Sequence, residues 1–362
     1  MSMTSVQNTT PRVTSKRIQD ARSVRSIIMS IVVTIFIAWL AFVFLTPLYE
    51  LINASFGTSA REPNQPYGPY AGKIFEHNGE KLKLYKVPIN GQTKELALLE
   101  PGRASSVFID PINPTQKINF EGSYRALDRI WVFSPRLQNY VDAWNNLPGG
   151  FVHGLINTFA IAGLSTLGIL ISSLFTAYGL ARFNLPGKDT LLAIVIATMM
   201  LPSIVLFVPQ YIMFFKIGWV GTWLPLIVPP FFGNAFSIFM LRQFFMAIPR
   251  EFDEAAKVDG ANPLHILWYI LIPLLRPAVI AVAIINFIIV WNDFFNPTLY
   301  LAGKTDLMPL SVSIRAFSSA RGGTDPQMIS AAAVIATIIP MVLFLFAQKP
   351  FIKAVTMPGL DK

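Results

Sequence analysis

Apolar residues along this chain fall into long unbroken runs rather than the short stripes and alternations of a water-soluble domain. No residue from Ile27 to Tyr49 is charged, and at about 1.5 Å per residue that run can cross a hydrocarbon core of about 30 Å. It is longer than the apolar core of a signal peptide, and no small-x-small cleavage site follows it, so a spanning helix is expected. Comparable runs at Phe151 to Leu180, Leu191 to Phe215, Trp223 to Phe245, His265 to Val290 and Ile329 to Ala347 bring the total to about six spans. The predicted fold is an all-α polytopic membrane protein.

The stretch 50–150 breaks this pattern. It holds 11 of the 29 basic and 10 of the 20 acidic residues, so it is nearly neutral and cannot lie in lipid. The polar/apolar alternation from Lys81 to Val87 predicts a half-buried strand, Asn90-Gly91 a hairpin turn, and the Pro/Gly cluster from Pro63 to Gly72 a linker. A small β-rich insertion is expected. The chain then divides into an N-terminal tail (1–26), a first span (27–49), the insertion (50–150), a core of five spans (151–348) and a C-terminal tail (349–362).

Composition adds direction. Hydrophobic residues make up 53% and charged residues only 14%, against about a quarter charged in ordinary soluble domains. The net charge of +9 does not form a basic stripe among aromatics, which argues against nucleic acid, and the basic residues cluster at the ends of apolar runs. Arg12, Lys16, Arg17, Arg22 and Arg25 against Asp20 alone place the N-terminal tail in the cytoplasm, and an even number of spans returns the C-terminus there. The absence of cysteine and the scatter of His77, His153 and His265 leave no metal-ligand spacing, so no metal or cofactor is expected on the chain.

The most informative cytoplasmic segment is the loop 249–273 between the fourth and fifth spans. Pro249 suits a first helical turn, with Glu251, Asp253 and Glu254 where the helix dipole favours negative charge. Gly260 supplies a C-terminal stop, and Asn262-Pro263 reads as the cap and first residue of a new helix. Phe252, Ala255, Ala256 and Asp259 share one edge, an aromatic knob beside small residues that permit close approach by a protein partner.

Glu254-Ala255-Ala256, Gly260 after three residues, and Ile270-Leu271-Ile272-Pro273 after nine more resemble the EAA loop of permease subunits of binding-protein-dependent ABC importers; only Ile272 departs, from leucine. Asn157-Thr158, the run Ala177 to Phe183, Met200 and Pro202, Leu241 to Phe245 and Trp291 to Pro297 are similar to the carbohydrate branch, in particular the shorter permease of maltose-type systems. The insertion at about 53–128 is long for that subunit, and the C-terminal tail lacks the family's glycine-rich ending. The resemblance implies a type I importer permease in a prokaryotic cytoplasmic membrane. It also implies a cytosolic ABC ATPase dimer that holds ATP and Mg, a second permease of different sequence, an extracytoplasmic binding protein, and a sugar or oligosaccharide as solute. ATPase coupling would then fall to Phe252, Glu254, Ala255, Ala256, Asp259, Gly260, Ile270 and Pro273.

The chain carries no phosphate cradle of its own. Gly303-Lys304-Thr305 lacks the first P-loop glycine, where Thr298 stands, and Gly187-Lys188-Asp189 has Arg182 at that place, so no enzyme is expected here. The spans hold almost no ionisable residues, which argues against an ion-driven carrier. They do hold helix breakers, so Pro229 and Pro230, together with Trp291, Asn292 and Asp293 at the outer end of the fifth span, are candidates for a translocation path or outer gate. A membrane scaffold or channel is the alternative, but it gives no reason for the EAA spacing.

Overall fold

A computed structural model describes residues 13–57, 64–66, 68–89, 91–320 and 326–355. The start of the N-terminal tail, Pro63, Asn90 and the final residues 356–362 lie outside the described residues. The chain divides into two units, Met1–Asn53 and Ala54–Lys362. The first is built on helix α1 (Val13–Ser55), whose apolar part from Ser26 is the expected first span.

The insertion is β-rich, as expected. β1 (Tyr70–Gly72) pairs with β8 (Trp131–Phe133) in a ribbon, so the end of the predicted linker is a strand. The larger antiparallel sheet runs β2 (Ile74–His77), β3 (Glu80–Ile89), β4 (Gln92–Glu100), β5 (Ser105–Ile109), β6 (Lys117–Glu121), with β7 (Asp128–Arg129) also on β3. Ile89 pairs with Gln92, so β3 and β4 meet as an antiparallel hairpin where Asn90-Gly91 predicts one, Asn90 itself lying outside the described residues. β3 is not simply half-buried. Leu82 and Leu84 pack with Ala97, Ile109 and Ile130, whereas Tyr85 and Val87 pack on the other face with Leu96, Leu98 and Phe108. The reason is position: Tyr85 pairs with Leu96 on one side and Arg129 on the other, which makes β3 a central strand covered on both faces.

After β8 come α2 (Gln138–Asn146) and the unbroken α3 (Phe151–Arg182). The third predicted span is two helices, α4 (Lys188–Met199) and α5 (Ser203–Lys216), bent by 95° where Pro202 takes an extended conformation. The fourth runs from Leu224 to Ala247 in pieces: α6 (Leu224–Ile227), a 3₁₀ turn at Pro229–Phe232, and α7 (Ala235–Ala247), which Asn234 caps by accepting from the Ser237 amide at 2.9 Å. α8 (Glu251–Val258) follows. The fifth span is α9 (Pro263–Leu274), π-helical over Ile266–Leu271, and α10 (Arg276–Trp291), bent by 82° at Leu275. Pro273 and Pro277 flank that break and remove two helical donors. Then come α11 (Phe295–Tyr300), α12 (Leu310–Ala320) and α13 (Pro326–Val355). Among the described residues, four helices are long and apolar enough to cross a membrane, or up to six if each bent pair is one span.

α3 organises the helical core. Asn157 donates to the Asp306 and Met308 carbonyls at 2.8 and 3.0 Å, and Thr158 accepts from the Leu310 amide at 2.8 Å, so the Asn-Thr pair pins the loop that leads into α12. Lower on α3, Ser165, Gly168 and Ser172 receive the proline-broken fourth span. Pro230 cannot donate to the Leu226 carbonyl, and Ser165 Oγ does so instead at 2.9 Å. Ser172 Oγ reaches the Pro230 carbonyl at 3.1 Å, and Gly168 leaves room for the Phe231 ring.

Candidate functional site

α8 begins at Glu251, two residues later than Pro249 suggests, with the Arg250 carbonyl accepting from Asp253 and Glu254. It ends in a Schellman corner: the Gly260 amide bonds the Lys257 carbonyl at 3.0 Å and the Ala261 amide bonds that of Ala256 at 2.9 Å. Gly260 has φ +80°, and a Cβ there would meet nothing within 4 Å, so glycine is required for conformation alone. Asn262 then caps α9, accepting from the His265 amide at 2.8 Å.

The two faces of α8 differ. Phe252, Glu254, Ala255 and Asp259 are exposed, and Val258 is 88% exposed. Ala256, expected beside Ala255 on a partner-facing edge, is instead buried with Tyr178, Phe245, Leu267 and Leu271. The buried side of the helix also carries a charge. Asp253 is buried, and its Oδ2 lies 3.2 Å from Nε of buried Arg182 at the end of α3. The N–H is not directed at the oxygen, so the contact is ionic rather than a hydrogen bond. Arg182 Nη2 donates to the Ile248 carbonyl at 2.9 Å and Tyr178 Oη to that of Pro263 at 3.1 Å. In the sequence Asp253 reads as one of the acids at the start of a helix and Arg182 as the cation closing an apolar run; nothing there pairs them. Ile270 packs partly into the same core, and Pro273 is exposed two residues before the bend.

A second feature lies between α3, α5, the broken fourth span, α10 and α11. A cavity of about 280 Å³ is lined by Thr158, Ser165, Gln210, Pro229, Pro230 and Asp293, among others. Three of the five path candidates therefore meet here. Trp291 and Asn292 do not; they line a separate groove with Ser311 and Thr337. Trp291 is only 5% exposed and packs edge-on to Phe159 at 5.1 Å. Asp293 has a local role, accepting from the Asn296 amide at 3.2 Å and its side-chain amide at 2.8 Å to open α11. Burial first, and then the Asp293 carboxylate, push the phenol of Tyr300, which also lines the cavity, above its ordinary range. Among the described residues no three His, Asp or Glu side chains cluster as a metal site needs.

Residues 167–356 match the family described as binding-protein-dependent transport system inner membrane component. The chain is similar to the osmoprotective compounds uptake permease protein GgtD of Synechocystis, at 29% identity over 75% of this chain and 90% of that one. It is likewise similar to the melibiose/raffinose/stachyose import permease protein MelC of Bacillus subtilis, at 30% identity over 66% and 85%. Its fold resembles a chain of a bacterial ABC transporter involved in the import of the acidic polysaccharide alginate: TM-score 0.58, 20% identity, covering 90% of this chain and 96% of that one.

Proposed function

The chain belongs to the family of binding-protein-dependent transport system inner membrane components, and from that premise we propose that, as the permease subunit of an ATP-driven importer, it passes a sugar or oligosaccharide across the cytoplasmic membrane. A binding protein delivers the solute to the outer loops and the β-rich insertion. The solute moves past the cavity bounded by Pro229, Pro230 and Asp293, against a companion permease of different sequence. The termini and α8 lie in the cytoplasm, where an ABC ATPase dimer holds ATP and Mg; hydrolysis occurs there and not on this chain.

One observation carries the coupling role. α8 holds Asp253 and Ala256 inside the protein while leaving Phe252, Glu254 and Ala255 outside. An apolar knob and a carboxylate on a rigidly mounted helix suit a protein groove with a cation at its base better than they suit anionic lipid headgroups. Glu254 is the charged anchor, Phe252 and Ala255 the contact surface, and Gly260 the corner. Support for a sugar is chemical kinship with relatives whose names specify oligosaccharides.

The test is purification of the tagged chain from its native membrane in mild detergent, with mass spectrometry of what accompanies it. A P-loop ATPase and a second permease are expected with the natural chain, and the ATPase is expected to be lost with Glu254→Lys. A chain recovered alone, in detergent that keeps such complexes intact, would replace this reading with a scaffold or channel.

A further inference from the structure

The fifth span, which the coupling loop enters directly, is a poor conductor of movement. It is π-helical over Ile266–Leu271 and bent by 82° at Leu275, and such a joint absorbs displacement by changing its angle. α3 is different: its 32 residues are unbroken from Phe151 to Arg182. Its cytoplasmic end touches α8 through Arg182 and Asp253, and farther along it Thr158, Ile161 and Ser165 line the cavity. Arg182 also holds the end of the fourth span through the Ile248 carbonyl, and Tyr178 holds the start of α9. With both side chains of the ion pair buried, water screens their attraction little, and separating them would leave two uncompensated charges.

We infer that the Arg182–Asp253 pair joins α8 and α3 into one moving body, so that α3 carries the ATPase stroke to the cavity. The inference rests on α8 being the ATPase-docking helix. It makes Asp253 and Arg182 positioning residues that touch neither ATPase nor solute.

The chain has no cysteine, so introduced pairs are the sole thiols it contributes to a complex, and a complex with the unaltered chain supplies the background. Spin labels at Leu167→Cys on α3 and Val258→Cys on α8, both exposed positions, report the separation of the two helices. Double electron–electron resonance on the co-purified complex, nucleotide-free and trapped with ATP and vanadate, should give the same distance in both states for the otherwise natural chain. Asp253→Asn should retain the ATPase yet show a shift between states larger than the width of the natural distribution, and Asp253→Glu should restore invariance. A merely structural Asp253 would alter both states alike.

If Asp253→Asn does not assemble, the Arg182→Gln/Asp253→Asn pair leaves no unpaired buried charge and should show the same shift. A state-dependent distance in the natural chain, or an invariant one in the neutral variants, overturns the inference while the docking reading stands. Failure of the natural chain to recover an ATPase overturns both.

Discussion

The contact between α3 and the proline-broken fourth span can be tested at Gly168. A Cβ at this position would stand 2.5, 2.7 and 2.9 Å from Cδ2, Cε2 and Cγ of Phe231, closer than such atoms approach. Two effects oppose each other in Gly168→Ala. Alanine in a helix interior gains about 0.5–1 kcal/mol over glycine, whereas forcing a methyl into an occupied site costs about 1–3 kcal/mol. The Phe231 ring is 41% exposed and could swing outward if its backbone followed. That backbone is held by the fixed φ of Pro229 and Pro230 and by the Ser172 bond to the Pro230 carbonyl. Sterics should therefore win by about 1–2 kcal/mol, and at about 2–4 °C per kcal/mol for a core of this size the thermal midpoint in detergent should fall by several degrees. Phe231→Ala placed in the Gly168→Ala background should recover most of the loss, a coupling of about 1 kcal/mol or more between touching residues. A midpoint for Gly168→Ala equal to or above that of the natural chain would show that helix propensity prevails and would refute the close-packed reading.

At the corner, Gly260→Ala should lower the thermal midpoint by the equivalent of about 1–2 kcal/mol and Gly260→Asn by less, since asparagine tolerates the left-handed region; equal losses would refute a purely conformational requirement. Asn286, buried on α10, donates to Ser237 Oγ at 3.0 Å. A double-mutant cycle with Asn286→Leu and Ser237→Ala should give a coupling of about 0.6 and at most about 1.7 kcal/mol, the range for polar pairs between membrane helices. In the insertion, burial and then the neighbouring Tyr124 raise the Tyr85 phenol above its ordinary range. Raising this acid's value in the folded state means the stabilisation is complete below the unfolded value of about 10 and is lost as pH climbs through the folded one. Intrinsic fluorescence of the intact chain should report unfolding of the insertion above about pH 10, shifted to higher pH in Tyr85→Phe.

The corner after α8 was legible because its signals are local: Gly260 stops one helix and Asn262-Pro263 starts the next whatever surrounds them. Which of two adjacent alanines faces inward was not, because the partners on the buried side of α8, Arg182 for Asp253 and Tyr178, Phe245, Leu267 and Leu271 for Ala256, come from other helices. Hydropathy likewise located five core spans but could not register bends, since the mean over a window is the same for a straight helix and a broken one. Pro202 stands at the first bend, and Pro273 and Pro277 flank the second. Trp291 grouped with the path candidates because its neighbours in sequence, Asn292 and Asp293, are polar, while the aromatic that covers it, Phe159, comes from α3. In the insertion the strand was evident, but the change of buried face at Tyr85 depends on which strands flank it.

The bond from Ser165 to the Leu226 carbonyl imposes an order on how this region can change over generations. The serine is needed only because proline stands at 230. If Pro230 is replaced first, its restored amide can take over the carbonyl, and the hydroxyl of Ser165 can turn back to its own helix, so either step that follows is tolerated. If Ser165 is lost first, a carbonyl is stranded in the bilayer and the lineage carries a defect until position 230 changes. The two sites therefore act as a ratchet that allows one sequence of substitutions and obstructs the reverse.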